Sequence, residues 1–235
     1  MNIAIIPARG GSKRIPRKNI KAFHGKPMIA YSIEAAIASD CFDKVIVSTD
    51  DQDIADVAMQ YGAEVPFLRP ADISDDHATT MDVIQHAIEW YETQGVSIDK
   101  LCCIYATAPF VSSHDIQLGL YLVDTEGVEF AFSATTFAFP IQRAITVEKN
   151  GEVNMLQLEH LQSRSQDLVE TYHDAGQFYW GKVDAFKQGL SMFAPHSRIV
   201  KIPRYRAQDI DTVEDWHVAE LLYQILTEKT NENSI

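Results

Sequence analysis

The sequence predicts an α/β fold, a doubly wound and mainly parallel sheet flanked by helices. Two observations indicate it. Short apolar runs of strand length recur along the 235 residues, and segments with apolar side chains at helical spacing lie between them. Strands that alternate with helices are typical of a parallel sheet with crossover connections. No linker composition divides the chain, so we expect a single domain spanning residues 1–235.

The first half of the chain follows this alternation closely. An apolar run at 3–6 predicts the first strand, which Pro7 ends. The first helix, at 27–39, should turn one face to the core, with Met28, Ile29, Ile33, Ala36 and Ile37. The further elements predicted here are a strand at 44–50, a helix at 53–61, a strand at 64–68, a polar and flexible segment through His77, a helix from Thr79 or Thr80 to 93 and a strand at 101–106.

The second half contains one excursion. A helix at 114–125 and a strand at 130–135 continue the pattern, but residues 137–172 break it. A hairpin is predicted near 144–156, with Asn150-Gly151 as a type I′ turn. The elements predicted after it are a strand at 177–180, a short helix, a strand at 198–202, a helix at 212–227 and a frayed tail at 227–235.

Composition limits the possible partners. The chain has 20 basic and 33 acidic residues and a formal charge of -13, which argues against nucleic acid as a partner. No apolar stretch is long enough to span a membrane, and we expect no secretory signal. Cys102 and Cys103 are adjacent in a strand and should point to opposite faces. A cytoplasmic location with reduced thiols is therefore expected.

A basic loop follows the first strand. It holds Gly10, Gly11, Ser12 and five basic residues, namely Arg9, Lys13, Arg14, Arg17 and Lys18. Glycines let backbone N–H groups approach a ligand, and the cations suit a polyanion such as a triphosphate. The spacing is neither that of a P-loop nor that of a dinucleotide fingerprint. An ordinary basic surface loop is the alternative.

This loop resembles the signature of the CMP-sugar synthetases, through the run IPARGGSK at 6–13 followed by Pro16 and by Lys18-Asn19. The resemblance implies a Rossmann-like fold of the nucleotide-diphospho-sugar transferase type. It also implies transfer of CMP from CTP to an acidic sugar, for surface glycan or flagellin glycosylation. The region 137–172 would then be an arm for homodimerisation and sugar binding. Arg9, Lys13 and Lys18 would be catalytic, and Ala8, Gly10, Gly11, Ser12 and Asn19 would join them in holding the nucleotide.

An acidic pair, Asp209 and Asp211, precedes the last helix. Residues two apart in an extended segment face one side, so both carboxylates can meet one hard cation. Such a pair can also be structural. In the resembled family an Asp-Ile-Asp run stands here, and it implies Mg²⁺ bound with the triphosphate.

The run RPADISDDHATTMD at 69–82 resembles the second nucleotide-binding segment of the family. By position Arg69 would contact the nucleotide or its phosphates, and Thr80 would help to hold the base or ribose. A surface salt bridge is the alternative for Arg69, and a helix cap is the alternative for Thr80.

Three segments resemble the branch of the family that activates pseudaminic acid. They are Tyr105-Ala-Thr-Ala-Pro109, FPIQR at 139–143 and YHDAGQFY at 172–179. Thr107 is assigned to the nucleotide. The residues expected to contact the sugar are Tyr105, Arg143, Arg164, His173, Asp174 and Gln177. Interface ion pairs are the alternative for both arginines.

The sequence thus predicts a magnesium-dependent cytidylyltransferase that uses CTP and a nine-carbon acidic sugar, with pseudaminic acid favoured. N-acetylneuraminic acid, legionaminic acid and an eight-carbon sugar are alternative acceptors. An alternative of another class is a catalytically silent regulator that binds nucleotide. The acidic pair argues against the regulator, because a chain without catalysis has no reason to keep it.

Overall fold

The computed structural model describes residues 1–75 and 78–232. The end of the segment predicted to be flexible and the end of the tail predicted to fray, 76–77 and 233–235, lie outside the described residues. The strands are β1 Asn2–Pro7, β2 Ala22–Phe23, β3 Lys26–Pro27, β4 Lys44–Ser48, β5 Lys100–Ile104, β6 Phe130–Thr136, β7 Ile145–Val147, β8 Val153–Met155, β9 Tyr172–Lys182 and β10 Ser197–Lys201. The helices are α1 Met28–Ala38, α2 Gln52–Gln60, α3 Thr80–Thr93, α4 Ser113–Val123, α5 Val183–Lys187 and α6 Val213–Glu232.

The central sheet confirms the predicted fold class. Within the described residues it has the order β10-β6-β9-β5-β1-β4. The pairs β1–β4, β1–β5 and β6–β10 are parallel, whereas β9 runs antiparallel to both β5 and β6. Because the neighbours along the sheet are rarely neighbours in sequence, helices cross over its faces and cover them.

Two apolar cores lie on opposite faces of the sheet, because successive strand residues point to opposite sides. Ala4 and Ile6 pack with α1, α2 and α4 on one face, and Ile3 and Ile5 pack with α3 and α5 on the other. Cys102 and Cys103 divide between the two cores in the same way, and both are free thiols. A third cluster joins α6 to α1 and the β2–β3 hairpin through Trp216, Met28 and Phe23.

Four local predictions are wrong. The tail predicted to fray from residue 227 instead continues α6 as far as Glu232. The predicted strand at 64–68 forms only single bridges at Glu64 and Leu68, since Pro66 has no N–H for a ladder. Ile37 is 47% exposed and lies outside the buried stripe of α1. In the β7–β8 hairpin, only Gly151 of the pair Asn150-Gly151 has a positive φ, whereas a type I′ turn needs two.

The excursion at 137–172 begins and ends beside the sheet, where Thr136 of β6 pairs with Tyr172 of β9. It holds the β7–β8 hairpin and three single-turn 3₁₀ segments. In the described chain no helix is long and apolar enough to cross a membrane.

Candidate active site

The carboxyl ends of β1, β4 and β5 form one rim, as expected for ligand sites on such sheets. A cavity of about 310 Å³ opens there. Five basic side chains line it, namely Arg9, Lys13, Arg14, Lys18 and Arg69. The predicted residues Ser12, Asn19, Thr80, Tyr105 and Thr107 line it as well. In a chain of formal charge -13, this concentration of cations makes the cavity suited to a polyanion.

The basic loop is held by the turn that follows β4 and by the Asn19 side chain. The Gly10 N–H donates to Asp50 Oδ1 at 2.9 Å, and the Asn19 side-chain amide donates to the Arg9 carbonyl at 3.0 Å. A Cβ at Gly10 would lie 2.6 Å from Asp51 Oδ2, while one at Gly11 would meet no atom within 4 Å. Gly10 is therefore required for close packing, and Gly11 leaves open space beside the loop.

The basic residues of the loop divide into two sets. Arg17, in the left-handed region with φ 56°, turns away to Asp51 and to Asp53 at 2.7 Å, and the hydrogen bond to Asp51 raises the pKa of Arg17. The cavity set includes Arg9, whose Nη1 donates to the Asp75 carbonyl at 3.0 Å. Arg17 thus anchors the loop on the N-terminus of α2, whereas the others face the cavity.

Arg69 is a buried cation rather than the partner in a surface salt bridge. Its side chain is 4% exposed, its Nε donates to Ser74 Oγ at 3.2 Å and its Nη2 lies 3.9 Å from Asp50 Oδ1. Burial lowers the pKa of Arg69, the Asp50 charge raises it and the neighbouring Arg9 lowers it. Two guanidinium groups close together at the wall of a cavity favour an anion between them.

The acidic pair lies against the basic loop. Lys18 Nζ donates to the Ile210 carbonyl at 2.5 Å and lies 3.5 Å from Asp211 Oδ1, and Arg14 Nη2 lies 2.9 Å from Asp211 Oδ2. Partial burial raises the pKa of Asp209, and the Asp211 charge adds to the rise. Asp215 has another role, since it accepts from Thr212 N–H and Asp211 N–H at the start of α6.

The carboxylates at 209 and 211 fit a divalent cation by two criteria. Both offer the oxygen ligands that Mg²⁺ prefers. Desolvation and mutual repulsion already disfavour the charged form of Asp209, and a bound cation would relieve both effects. In the described residues no group of three or more His, Cys, Asp or Glu side chains is arranged for a metal, so phosphate oxygens and water would complete the coordination.

A second cavity of about 340 Å³ adjoins the first and shares Thr80 and Tyr105 with it. Its other lining residues are Met81, Ile84, Cys103, Asp174, Tyr179, Leu190, Ser191, Met192 and Phe193. Thr79, not Thr80, is the N-cap of α3, so the Thr80 hydroxyl is not used as the cap and lies 3.4 Å from the Tyr105 hydroxyl. The first lining is rich in basic groups and the second in apolar groups, and the shared pair supplies hydroxyl groups to both.

Several residues predicted to contact the substrate line neither cavity of their own chain. Arg143 is exposed and contacts Ser165, Arg164 pairs with Asp167, and His173 packs against the Phe137 ring. Gln177 is 2% exposed and its amide donates to the Arg206 carbonyl at 2.5 Å. Ala8 is buried under the loop, and its N–H donates to the Ser48 carbonyl. Their assigned contacts with substrate stay predictions.

The structure also adds residues that were not assigned a role. Asp50 and Asp51 position the basic loop, and Tyr179 joins Asp174 to Tyr105. Asp50 is the last residue of the predicted strand at 44–50 and Asp51 follows it. Both are therefore at the rim where ligands bind, and this position indicates them. Tyr179 is the last residue of the run YHDAGQFY at 172–179, and its place in that run could have identified it.

Comparisons with known proteins agree with this geometry. The chain matches the cytidylyltransferase family over residues 3–179. It is 46% identical to a pseudaminic acid cytidylyltransferase of Campylobacter jejuni, covering 95% of this chain and 97% of that protein. It is 32% identical to the CMP-N,N'-diacetyllegionaminic acid synthase of Legionella pneumophila, covering 95% and 96%. Against the N-acylneuraminate cytidylyltransferase of Escherichia coli the identity is 30%, covering 94% and 52%.

Solved structures match at the level of the fold. A CMP:2-keto-3-deoxy-manno-octonic acid synthetase, solved with CTP, aligns with a TM-score of 0.67 at 18% identity, covering 97% of this chain and 99% of that one. The 4-diphosphocytidyl-2C-methyl-D-erythritol synthase of Anaerococcus prevotii aligns with a TM-score of 0.63 at 14% identity, covering 95% and 98%. The family match and the close relatives show that this chain belongs to the cytidylyltransferase family of enzymes.

Proposed function

We propose that this enzyme transfers CMP from CTP to the anomeric hydroxyl of pseudaminic acid and releases pyrophosphate. The observation that carries the proposal is a basic cavity that shares two lining residues, Thr80 and Tyr105, with a partly apolar cavity. The first suits a triphosphate and the second a sugar with apolar substituents. Greater similarity to the relative named for pseudaminic acid, 46% against 32% and 30%, favours this sugar over legionaminic and N-acetylneuraminic acid.

The reaction is a single displacement at the α-phosphorus of CTP. The anomeric oxygen bonds to the α-phosphorus of CTP, the bond from that phosphorus to the bridging oxygen breaks, and pyrophosphate leaves. The hydroxyl proton passes to solvent. Transfers of this kind depend mainly on positioning and on stabilising charge. Arg9, Lys13 and Lys18 would neutralise the phosphate oxygens, and Arg69 would hold the nucleotide.

Mg²⁺ is proposed as the cofactor, held by Asp209 and Asp211. When bound it would neutralise the charge on phosphate oxygens and could lower the pKa of the attacking hydroxyl. Lys18 and Arg14, which contact Asp211, would keep this carboxylate beside the triphosphate.

The arm at 137–172 is proposed to form a homodimer. Its support is the exposed apolar surface of the arm, which comprises Phe137, Phe139, Ile145, Val147, Val153, Leu156, Leu158, Leu161 and Val169. Patches of this kind mark interaction surfaces. Arg143 and Arg164, which line neither cavity of their own chain, would then reach a sugar bound by the partner. A cytoplasmic location remains a prediction from composition.

The test is pyrophosphate release by the purified enzyme with CTP and Mg²⁺, run in parallel with pseudaminic, N,N'-diacetyllegionaminic and N-acetylneuraminic acids. We expect turnover with pseudaminic acid to exceed that with the other sugars by at least tenfold in kcat/KM. Preference for another sugar would overturn the substrate but not the reaction. Absence of pyrophosphate with all three would contradict the proposed reaction with these acids.

A further inference from the structure

The acidic pair lies in a segment of irregular backbone, so contacts with the rest of the fold must fix its position. Asp209 and Asp211 stand between a single 3₁₀ turn that ends at Arg206 and the start of α6. On the α6 side, Asp215 accepts from the Asp211 N–H at 3.1 Å, and Ile210 between the two carboxylates is fully buried. The other end of the segment is fixed through Arg206.

Arg206 is held by both its side chain and its backbone. Its Nη1 donates to Asp115 Oδ2 at 2.6 Å. Asp115 also accepts from the hydroxyl of Ser112, the N-cap of α4, at 2.6 Å. The Arg206 carbonyl accepts from the Gln177 side-chain amide at 2.5 Å. Arg206 therefore joins the segment that carries the acidic pair to α4 and to β9.

The ion pair of Arg206 with Asp115 is largely withdrawn from water. The Asp115 side chain is 6% exposed and the Arg206 side chain is 22% exposed. Desolvation offsets much of the attraction in such a pair, and apolar side chains of similar volume often give equal or greater stability. A charged hydrogen bond nevertheless fixes the distance and direction between the segments it joins. The specific contribution of this pair is therefore geometric.

Both of the joined segments reach the basic cavity. Thr107 lines it from the loop between β5 and α4, and Asp211 lines it from the acidic segment. Phe110 of the same loop belongs with Ile210 to the third apolar cluster. The buried ion pair thus sets the placement of the acidic segment against the loop that carries Thr107.

We propose that Arg206 and Asp115 are positioning residues, which hold the carboxylates of Asp209 and Asp211 beside the basic cavity for a divalent cation. Neither residue lines the basic cavity or the adjoining one, so both act through the acidic pair. The inference rests on the proposed use of CTP and Mg²⁺. It also assigns Gln177 to the support of the Arg206 backbone.

The test is the affinity of the full chain for CTP, measured by calorimetry without sugar, in Mg²⁺ and in EDTA. The ratio of the dissociation constant in EDTA to that in Mg²⁺ reports how strongly metal and nucleotide bind together. Arg206→Gln should lower this ratio by about three- to tenfold, at or below the lower end of the effect of outer partners of metal ligands. The dissociation constant in EDTA should stay within about twofold of wild type, because the basic side chains of the cavity are unchanged.

A double variant separates positioning from simple stabilisation. Asp115→Leu combined with Arg206→Met leaves no buried charge unpaired, so this variant should unfold at a higher urea concentration than Arg206→Gln. Its ratio should nevertheless fall as far as that of Arg206→Gln, since an apolar contact does not fix direction. Lys100→Gln is the matched control and should keep the wild-type ratio. It breaks an ion pair with Asp124 at 2.5 Å, at the other ends of β5 and α4.

Three outcomes would overturn this inference alone. They are wild-type ratios in both folded variants, equal weakening of CTP binding in Mg²⁺ and in EDTA, and a lower ratio in Arg206→Gln only. The last would trace the effect to an unpaired buried charge. Wild-type chain whose affinity for CTP does not rise with Mg²⁺ would overturn the proposed cofactor together with this inference. Wild-type chain that does not bind CTP at all would overturn the proposed function itself.

Discussion

Gly10 shows how one missing Cβ atom shapes the basic loop. Its N–H donates to Asp50, and a Cβ there would lie 2.6 Å from Asp51 Oδ2. The Asp51 carboxylate is itself held by Arg17 at Oδ2 and by the Ile54 N–H at Oδ1. We expect Gly10→Ala to lower the free energy of unfolding by about 1–3 kcal/mol, as overpacking does. Urea denaturation measures this change in the free energy of unfolding.

Gly11→Ala is the control for this prediction, because a Cβ at Gly11 meets no atom within 4 Å. Its free energy of unfolding should stay within about 0.5 kcal/mol of wild type. Equal destabilisation by the two substitutions would show that the contact with Asp51 is not the cause.

Lys18 joins the basic loop to the acidic pair. Its ammonium group contacts the Ile210 carbonyl and lies 3.5 Å from Asp211, at the wall of the basic cavity. Lys18→Ala should lower kcat by about 10²-fold, because it removes a preorganised charge beside the phosphates. Steady-state pyrophosphate release measures this loss.

Lys44→Ala provides a comparison for Lys18, since Lys44 pairs with Glu64 at the other end of β4. It should keep wild-type turnover. A Lys18→Ala enzyme with near-wild-type kcat would rule out the catalytic role.

At this scale the sequence indicates which residue types bind a polyanion, but not which of them line the cavity. Arg9 and Arg17 look alike in the loop, and only the fold directs Arg17 to Asp51 and Asp53. Gln177 carries a family resemblance, yet packing buries it against Arg206. Long-range contacts decide such cases, since local sequence contains no information about distant partners.

The capping box at the N-terminus of α3 fixes where this helix starts. It therefore positions Thr80, the first residue of the helix, in the lining of the cavity. Asp82 accepts from the Thr79 N–H at 2.7 Å and from its hydroxyl at 2.8 Å, and these bonds hold the pKa of Asp82 below its ordinary value near 3.8. A lowered folded pKa stabilises the protein above the unfolded value, and this stabilisation is lost as the pH falls through the folded pKa.

Asp82→Asn should therefore lower the free energy of unfolding at pH 7, and its difference from wild type should shrink as the pH falls below about 4. Urea denaturation at pH 7, 5 and 3 measures this difference in the free energy of unfolding. In a Thr79→Ala background the same substitution should have a smaller effect, because the hydroxyl donor is lost whereas the backbone N–H donor remains. An equal loss at pH 3 and pH 7 would contradict the assigned hydrogen bonds.

Most elements are predictable because helical spacing and strand runs are local properties. The strand at 64–68 is the exception, where Pro66 removes the donor that a ladder needs. The antiparallel direction of β9 could not be read from its sequence, since apolar alternation is the same in both directions. It depends on the path of the arm, which returns at Tyr172 beside the end of β6.

For the whole molecule, the exposed apolar side chains of the arm predict a homodimer. Phe139, Leu158 and Val169 are 84%, 70% and 79% exposed in one chain. Paired substitution of Leu158 and Val169 by Asp should convert the dimer to a monomer, because it places charges in an apolar interface. Light scattering after size exclusion measures the mass.

Tyr121→Asp, at another highly exposed position outside the arm, should leave the mass unchanged. A wild-type chain that is monomeric at micromolar concentration would contradict the prediction. A dimer that survives the paired substitution would place the interface elsewhere.

The sequence by itself determined the fold class, the family and the reaction class, because strand and helix periods and the basic loop are local signals. The tertiary structure alone decided which side chains share a cavity. It brings Arg69 beside Arg9, Lys18 beside Asp211, and Asp174 into the cavity that Thr80 also lines, from segments far apart in the chain. These contacts depend on the order of the strands in the sheet, and apolar periodicity determines where strands occur but not which strands become neighbours.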